Sequence, residues 1–452
     1  MAEKLTVKNF AGIEELEIEV KRINIVIGPQ ASGKSVCAKL LFYFKNFVWK
    51  ILDTVENEQT KPDIDLSYSQ TFQEYFPPDS WGDHDFYIKY EIYDVFIEIS
   101  RNPENQNKIN LNYSEFFKKI KQELLGKLLI NLDKLLEDRL LENIQKLLLR
   151  KTIEKKSDKN PDFELLKRRF LFSSGIIREQ LIEFLRSSLC DEAAYTQLFI
   201  PAGRSFFANL QSSIFSLISN KIVIEPFMIE FGSTYETIKR LNARIINEPE
   251  NIQEKEINDE IETLIKEVLC GEHIQEKGED FLRMADGRRI SIANSYSGQQ
   301  ATFPLTIILS ALPFLVDASS AGQTVYIEEP EAHLFPSAQR NMVELIACVF
   351  NSDREKLQFF ITTHSPYILT SINNLIQAGM LYEESSEDVL PKLEKIVPSY
   401  KALSTSYLSA YVLENGKAEN ILDKETDLIY ANLIDGVSDE LAIQFDQLLD
   451  LA

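Results

Sequence analysis

The chain has 452 residues, of which 44% are hydrophobic and 26% charged, a composition typical of a globular protein with room for two or three folding units. Its net charge of −22 argues against a surface that binds DNA as a whole, although it is compatible with a local basic patch. Cys37, Cys190, Cys270 and Cys348 are widely spaced without a C-x-x-C pair, which argues against a disulfide framework or a cysteine metal site. The first residues lack a signal-peptide layout, so we expect a cytoplasmic protein.

The first predicted elements are strands. Residues 5–7 and 16–20, followed by the apolar run 23–27, predict three strands near the start of the chain. Residues 86–92 and 95–99 also alternate between apolar and polar side chains, and they predict a hairpin that turns at Tyr93-Asp94. These segments predict a β-rich lobe.

A phosphate-binding loop lies between the third strand and a helix predicted over residues 35–47. The segment fits G-x-x-x-x-G-K-[ST] and consists of Gly28, Pro29, Gln30, Ala31, Ser32, Gly33, Lys34 and Ser35. Its glycines let backbone N–H groups surround phosphates at a helix N-terminus. Lys34 is placed to neutralise the β and γ oxygens and the Ser35 hydroxyl to hold Mg²⁺, so the pattern predicts a nucleoside triphosphate site.

From residue 117 onward, the spacing of apolar residues is that of a helix. Apolar residues recur every three or four positions from 117 to 140, the segment 157–162 breaks the pattern, and a second helical stretch covers 163–189. This pattern predicts an antiparallel helical hairpin with arms of roughly 45–60 Å. Residues 118–169 hold fifteen Lys or Arg and nine Asp or Glu, a net charge of +6, which is more typical of a solvated amphipathic helix than of a nucleic-acid site.

Two later strands end in polar motifs. The apolar residues 324–327 lead into E-E-P-E-A-H-L, where Glu328 is placed near Mg²⁺ and Glu329 as a general base. The strand 358–363 ends at H-S-P, which places His364 at the sheet edge where α/β proteins bind ligands. Between these motifs and the phosphate loop, S-Y-S-G-Q-Q precedes an apolar helix whose run 302–316 is too short to span a bilayer.

In this order, the motifs resemble the ABC-type head of SMC, RecF and OLD ATPases. The chain is most similar to the stand-alone "AAA family" ATPases of bacterial phage-defence systems of the PARIS, Septu or retron type. G-P-Q-A-S-G-K-S, I-E-E-P-E-A-H-L and the closing residues 409–417 carry this likeness, which covers residues 1–112 and 196–372. The resemblance implies an α/β fold: an ABC-ATPase (P-loop NTPase) head with a β-rich lobe and an inserted α-helical hairpin arm.

The implied organisation has five parts. They are an N-terminal lobe of the head with the phosphate loop (1–112), the helical hairpin arm (113–195), a helical part of the head (196–285), a lobe with the signature, acidic and histidine motifs (286–372), and a C-terminal extension (373–452).

The resemblance also implies roles for individual residues. Lys34 and Ser35 bind phosphate and Mg²⁺, Glu328 shares the metal, Glu329 is the base and His364 the switch histidine. Ser297, Gly298 and Gln299 contact the γ-phosphate of ATP on the other protomer. The chain has Tyr296 where a serine is usual, so Ser295 or Ser297 substitutes, and it has Glu328 where Asp is commoner. Both departures suggest slow, switch-like turnover.

Some candidates are weaker. Gln70 or Gln73 fits a Q-loop glutamine, but neither follows a strand and we favour an ordinary loop glutamine. Arg204, in I-P-A-G-R-S, is equally compatible with contact to the nucleotide and with capping of a structural turn.

The implied function is that of a dimerising Mg-ATP-dependent ATPase, a sensor or scaffold in anti-phage defence. It would control a separate effector, expected to be a nuclease encoded nearby, and respond to a phage protein, without a membrane. The alternative is a RecF/SMC-like DNA-binding ATPase of repair or recombination, which the charge does not favour. A self-sufficient OLD-type nuclease needs a D-x-D after the head, but the matches at Asp63/Asp65 and Asp83/Asp85 lie upstream.

Overall fold

The computed structural model describes residues 3–57, 64–123, 178–209, 224–242, 252–276, 279–317, 321–430 and 436–449. Most of the predicted hairpin arm, residues 124–177, lies outside the described residues. Of the predicted arm, residues 113–123 and 178–195 are described, and within them 115–123 and 178–188 are helical.

Within the described residues, eleven strands form one sheet, and three short strands form another. The order in the large sheet is β6-β5-β4-β1-β2-β14-β13-β3-β12-β11-β7, and that in the small sheet is β10-β9-β8. The strands are β1 (Glu3–Phe10), β2 (Ile13–Val20), β3 (Ile23–Ile27), β4 (Tyr87–Ile92), β5 (Val95–Arg101), β6 (Ile109–Tyr113), β7 (Thr196–Ile200), β8 (Glu272–Glu276), β9 (Glu279–Arg283), β10 (Arg289–Ser291), β11 (Gln323–Glu328), β12 (Leu357–Thr363), β13 (Leu408–Glu414) and β14 (Lys417–Asn420).

The large sheet has an antiparallel half and a parallel half. Strands β1, β2, β4, β5 and β6 pair antiparallel, and they form the predicted β-rich lobe, with the hairpin turn at Tyr93, whose φ is 53°. Strands β13, β3, β12, β11 and β7 pair parallel in that order. β3 and β12 are buried at every residue, as expected for strands covered on both faces. The α/β class predicted from the sequence is confirmed.

Helices cover the sheet and connect its strands. They are α1 (Lys34–Lys45), α2 (Phe47–Asn57), α3 (Ile64–Tyr75), α4 (Ser205–Asn209), α5 (Pro226–Asn242), α6 (Ile252–Leu269), α7 (Ser297–Asp317), α8 (Pro336–Ser352), α9 (Pro366–Glu384), α10 (Leu390–Leu393) and α11 (Gly436–Leu449). The helix predicted after the phosphate loop is α1, and the apolar helix predicted after S-G-Q-Q is α7.

The core lies on both faces of the sheet because successive strand residues point to opposite sides. Phe360 and Tyr326 belong to the cluster that also holds the β-rich lobe and α1. Their neighbours Phe359 and Val325 belong to the second cluster, together with the apolar faces of α7 and α8. The parallel strands are therefore fixed between two cores, and the loops at their carboxyl ends start from rigid positions.

The C-terminal region contributes a strand to the middle of the sheet. β13 pairs in parallel with β3, from Leu408 opposite Ile23 to Val412 opposite Ile27. The division predicted at residue 372 therefore does not coincide with an edge of the sheet, and α9 continues through it to Glu384. The five-part division of the chain stays a prediction.

Helix α7 is long and apolar enough to cross a membrane by length and composition, over Ser297–Val316. However, 72% of that window is buried against the rest of the protein. A core helix of a folded domain has these properties, and α7 contacts α4, α5, α6 and α8.

Candidate nucleotide-binding site

The phosphate loop connects β3 to α1, as its sequence predicts. Gly33 has a φ of 101°, and a Cβ there would come within 2.8 Å of Cγ1 of Ile13. A Cβ on Gly28 would overlap the carbonyl oxygen of Leu413 in β13. Both positions therefore require glycine. Gly33 needs it for its positive φ and for the close contact with Ile13, and Gly28 needs it because the backbone of β13 passes so near.

Lys34 is the first residue of α1, and its side chain turns back into the loop. Its Nζ donates to the carbonyl oxygens of Gly28 (2.8 Å) and Pro29 (2.7 Å) and lies 3.3 Å from Oγ of Ser32. Burial lowers the pKa of Lys34 to about 8, and the negative charges of Glu329 and Glu331 oppose that shift. The negative charges of both acids therefore reach the Lys34 ammonium group.

The strand order brings the three predicted motifs together. β12, which precedes His364, lies between β3 with the phosphate loop and β11 with the two glutamates. Nδ1 of His364 is 3.4 Å from Nζ of Lys34, and Nε2 is 3.3 Å from Oε1 of Glu329. If the charged Lys34 donates to Nδ1, the ring proton would be on Nε2, which faces the Glu329 carboxylate. His364 thus lies between the lysine that is predicted to bind phosphate and the predicted base.

Glu329 occupies a sharp turn at the end of β11. Its φ is 45°, and its N–H donates to the Thr362 carbonyl at 2.9 Å, which continues the ladder to β12 for one more residue. A positive φ is uncommon for a residue other than glycine and is found where the surroundings hold the backbone in place. Because of this turn, the Glu329 side chain does not follow the alternation of the strand, and its carboxylate contacts His364.

Glu328 and Glu331 each carry a buried carboxylate oxygen without a hydrogen-bond partner. Oε2 of Glu328 accepts from the Ala202 N–H at 3.0 Å, but its Oε1 has no partner. Oε1 of Glu331 accepts from the Thr363 hydroxyl and from the His364 N–H, both at 2.7 Å, and its Oε2 has none. Sequence reasoning gave Glu331 no primary role, although its position two residues after Glu329 was a signal.

These orphaned oxygens fit a site for a divalent cation. Mg²⁺ prefers oxygen ligands, and it commonly takes only one or two from the protein and the rest from phosphates and water. Among the described residues, no group of three or more His, Cys, Asp or Glu side chains could hold a metal ion. Ser35 is exposed on the first turn of α1, where its hydroxyl is accessible. Ser35 and Glu328 are the residues that would hold the ion.

Arg204 stabilises the turn that contains Glu328 and Glu329. The side chain is fully buried, and its guanidinium donates to the carbonyls of Glu328 (2.6 Å) and Glu329 (2.8 Å) and, from Nε, to that of Ala301 (2.8 Å). Burial lowers its pKa to about 10, opposed by the charges of Glu331, Glu328 and Glu329. Of the two roles that the sequence left open, the contacts support the structural one, because these donors are engaged by backbone.

The S-G-Q-Q motif forms the start of α7. Ser297 is exposed as the first residue of the helix, and a Cβ on Gly298 would come within 2.8 Å of the His333 carbonyl oxygen. Gln299 is buried: its Nε2 donates to the Leu269 carbonyl at 2.7 Å and its Oε1 accepts from the Tyr296 N–H at 3.2 Å. Gln299 therefore anchors the motif on α6 here, and its contact with a γ-phosphate stays a prediction.

The two Q-loop candidates lie on α3, away from strand ends. Gln73 donates from Nε2 to the Asn107 carbonyl at 2.8 Å, and Gln70 is exposed. Neither hydrogen bonds to a phosphate-loop residue among the described contacts.

Comparison with known families gives a match over most of the chain. A family model described as an AAA ATPase domain matches residues 1–369. The chain belongs to this AAA ATPase domain family. It is therefore an ATP-binding protein of an ATPase family, and the matched region contains the phosphate loop, Ser297, Gly298 and Gln299, and also Glu328, Glu329 and His364.

Solved structures resemble this AAA ATPase domain protein at low sequence identity. The SMC head domain of Pyrococcus furiosus, bound to the C-terminal domain of ScpA, is 14% identical over 93% of this chain and 95% of that one, with a TM-score of 0.37. The SMC head domain from Thermotoga maritima is 12% identical over 93% and 98%, with a TM-score of 0.33. The recombination mediator RecF with ATPrS is 11% identical over 93% and 98%, with a TM-score of 0.31. No curated protein matches the chain.

Proposed function

We propose that the protein is a Mg-ATP-dependent ATPase of the ABC type, similar to SMC and RecF heads, which binds ATP between two copies and hydrolyses it slowly as a switch. The observation that carries this proposal is the line of contacts from Lys34 through His364 to Glu329. These contacts place a cation that can bind phosphate oxygens near a carboxylate that can accept a proton from an attacking water. Small movements of the side chains would bring the three groups into contact with a bound nucleotide.

The residues divide the chemistry between them. Lys34 releases its loop carbonyls and binds the β and γ oxygens, while Glu329 accepts the proton of the attacking water. His364 holds the Glu329 carboxylate through Nε2 and is linked to the γ-phosphate through Lys34, which lies next to its Nδ1. A Mg²⁺ ion held by Ser35 and Glu328 would supply charge neutralisation for the triphosphate. Glu328 is longer than the commoner Asp, a feature that supports slow turnover.

A second copy would complete the site. The exposed Ser297 and the adjoining Gly298 stand at the N-terminus of α7, and the first backbone N–H groups of a helix are suited to bind an anion. The γ-phosphate of ATP on the partner is the ligand that the resemblance implies for them. ATP would therefore bind the two heads together, and hydrolysis would release them.

The biological role that we propose is a sensor or scaffold in anti-phage defence that controls a separate effector, expected to be a nuclease. The similarity of its motifs to stand-alone defence ATPases supports this role, as does the net charge of −22, which disfavours DNA as the main partner. RecF-like DNA binding is the second candidate, and the basic composition of residues 118–169 is the observation that favours it.

Glu329→Gln tests the site. We expect this variant to bind ATP, to lose hydrolysis by at least about 100-fold, as expected for loss of a general base, and to accumulate as a dimer in light scattering with Mg-ATP. Lys34→Ala is the matched control, because it removes the phosphate-binding charge and should neither bind ATP nor dimerise. Hydrolysis at the wild-type rate by Glu329→Gln would contradict the assignment of the base and move it to Glu331.

A further inference from the structure

Three large aromatic side chains are exposed beside the candidate site. In the described part of the chain, Phe335 is 77% exposed, Tyr296 68% and Tyr367 52%. Each stands at the beginning of a helix: Tyr296 directly precedes α7, Phe335 is the N-cap of α8, and Tyr367 is the second residue of α9. We call these three residues the aromatic patch.

Contacts between the three helix starts show that they adjoin one another. The turn at Gly298 lies against the His333 carbonyl, only two residues before Phe335. Gln339 of α8 donates to the Leu334 carbonyl at 2.9 Å and accepts from the Ser365 hydroxyl at 2.5 Å. That hydroxyl also accepts from the N–H of Tyr367 at 3.2 Å. The helix starts are therefore neighbours on one surface.

This surface borders the catalytic residues. Phe335 and Tyr367 follow Glu329 and His364 by six and three residues, and both come after the carboxyl ends of β11 and β12. Tyr296 directly precedes Ser297, which we propose to contact ATP on the partner. The aromatic patch therefore lies along the edge of the sheet where nucleotide is expected.

Exposed aromatic rings in one area are costly in water and are enriched at protein interfaces. The occupant of this surface must also accept the positive partial charge of three helix N-termini. A second copy that carries ATP meets both conditions, since it brings a triphosphate to this edge and an apolar surface of the same kind around it. An isologous dimer places the same patch on both copies.

We propose that the aromatic patch is the apolar part of the contact with a second copy of this chain, formed when ATP is bound. This inference rests on the proposed function, because it names the protein surface that closes the ATP-dependent dimer. Aromatic side chains at the centre of an interface commonly account for a large share of the binding free energy. Replacing one of them with a charge should therefore weaken dimerisation without affecting the binding of ATP to a single copy.

The test uses full-length protein in the Glu329→Gln background, with Mg-ATP, and compares Phe335→Asp and Tyr367→Asp with Ile396→Asp. Ile396 is a matched control because it is equally exposed, at 77%. Ile396 is also distant from the aromatic patch. Its neighbour Val397 accepts a hydrogen bond from Tyr382, which is 15 residues after Tyr367 on α9. At the rise of an α-helix, this separation is about 20 Å. ATP affinity and the dimer dissociation constant are measured for each variant, and Phe335→Tyr checks that an aromatic ring suffices.

We expect Phe335→Asp to raise the dimer dissociation constant roughly 30-fold or more, as for a central aromatic anchor. ATP affinity of the single copy should stay within about twofold, because the mutated side chains are exposed and bind no part of the phosphate loop. Ile396→Asp and Phe335→Tyr should dimerise like the parent.

The outcomes separate the two proposals. If the Glu329→Gln parent does not dimerise with ATP, the proposed function fails and this inference fails with it. If the parent dimerises and Phe335→Asp and Tyr367→Asp dimerise equally well, the aromatic patch is not the interface, while the proposed function stands. An equal loss in Ile396→Asp would also overturn the inference, because the effect would then come from added charge.

Discussion

Lys34 illustrates how one residue is prepared for a ligand. Its ammonium group hydrogen bonds to the Gly28 and Pro29 carbonyls of its own loop, and burial lowers its pKa to about 8. The unfolded chain therefore binds this proton more tightly than the folded protein does, and the residue adds to stability as pH rises from about 8 towards its ordinary value of 10.5. ATP reverses the preference, because a triphosphate favours the charged form.

This opposition predicts a pH dependence of ATP binding. Affinity should fall as pH rises through about 8, since only the protonated Lys34 neutralises the phosphate oxygens, with a limiting slope of about tenfold per pH unit. Calorimetric titrations from pH 7 to 9.5 would measure it. Lys34→Arg should bind more weakly but with a flat profile, because its guanidinium stays charged. Equal slopes in both proteins would show that another group titrates.

At the scale of elements, the turn between β11 and α8 depends on a side chain from a distant segment. Arg204 follows β7 and donates to the carbonyls of Glu328 and Glu329, so it holds both glutamates in the backbone conformation that Glu329 requires. The guanidinium has several donors in a fixed plane, which an ammonium group cannot reproduce. The turn is thus kept in place by the neighbouring strand rather than by its own sequence.

Arg204→Lys should therefore be a severe change. We expect a loss of about 2–4 kcal/mol in the free energy of unfolding, because buried carbonyls lose charged hydrogen bonds, and a fall in ATP turnover larger than the fall in ATP affinity. Urea denaturation and steady-state kinetics measure both. Arg340→Lys, at an exposed pair with Glu344, is the control and should stay within about 0.5 kcal/mol. A stable, active Arg204→Lys would contradict the structural role.

At the scale of the whole molecule, the two proposed biological roles differ in whether the protein binds DNA, and charge bears on that difference. The net charge is −22, and two of the described lysines of the basic stretch are already paired. Lys121 contacts Asp65 at 2.6 Å, and Lys118 contacts Glu115 at 2.5 Å. Reversing Lys121 would break an ion pair of the fold, so it is unsuitable for a test of DNA binding. Lys119 is exposed, and Arg150 and Lys151 lie outside the described residues.

We expect duplex DNA to bind no more tightly than about 10 µM at physiological salt, the level of non-specific contact. Fluorescence anisotropy over a salt series would compare the wild type with a Lys119→Glu, Arg150→Glu, Lys151→Glu variant. A control of equal charge is Lys392→Glu, Lys395→Glu, Lys424→Glu, at exposed positions near the C-terminus. Tight binding that only the first variant loses, with the salt slope flattened by about one unit per lost contact, would instead favour the repair ATPase.

Features that depend on neighbouring residues could be predicted from the sequence. The phosphate loop, the strands around it and the polar motifs that end β11 and β12 are local patterns, since glycine positions and apolar periods act within a few residues. Because carboxyl ends of parallel strands share an edge, the sequence also predicted His364 at the edge where the nucleotide is expected. In the structure, His364 lies 3.4 Å from Nζ of Lys34 and 3.3 Å from Oε1 of Glu329, and the roles of these residues stay predictions.

Features that join distant parts of the chain became visible in the folded structure alone. Arg204 could not be assigned from its segment, because its acceptors Ala301, Glu328 and Glu329 lie about 100 residues or more away. β13 pairs with β3 across nearly 400 residues and places Leu413 against the phosphate loop, although no local pattern specifies which strand it joins. Strand pairing and burial of a charge are decided by which surfaces meet in the folded core, and that choice involves the whole chain.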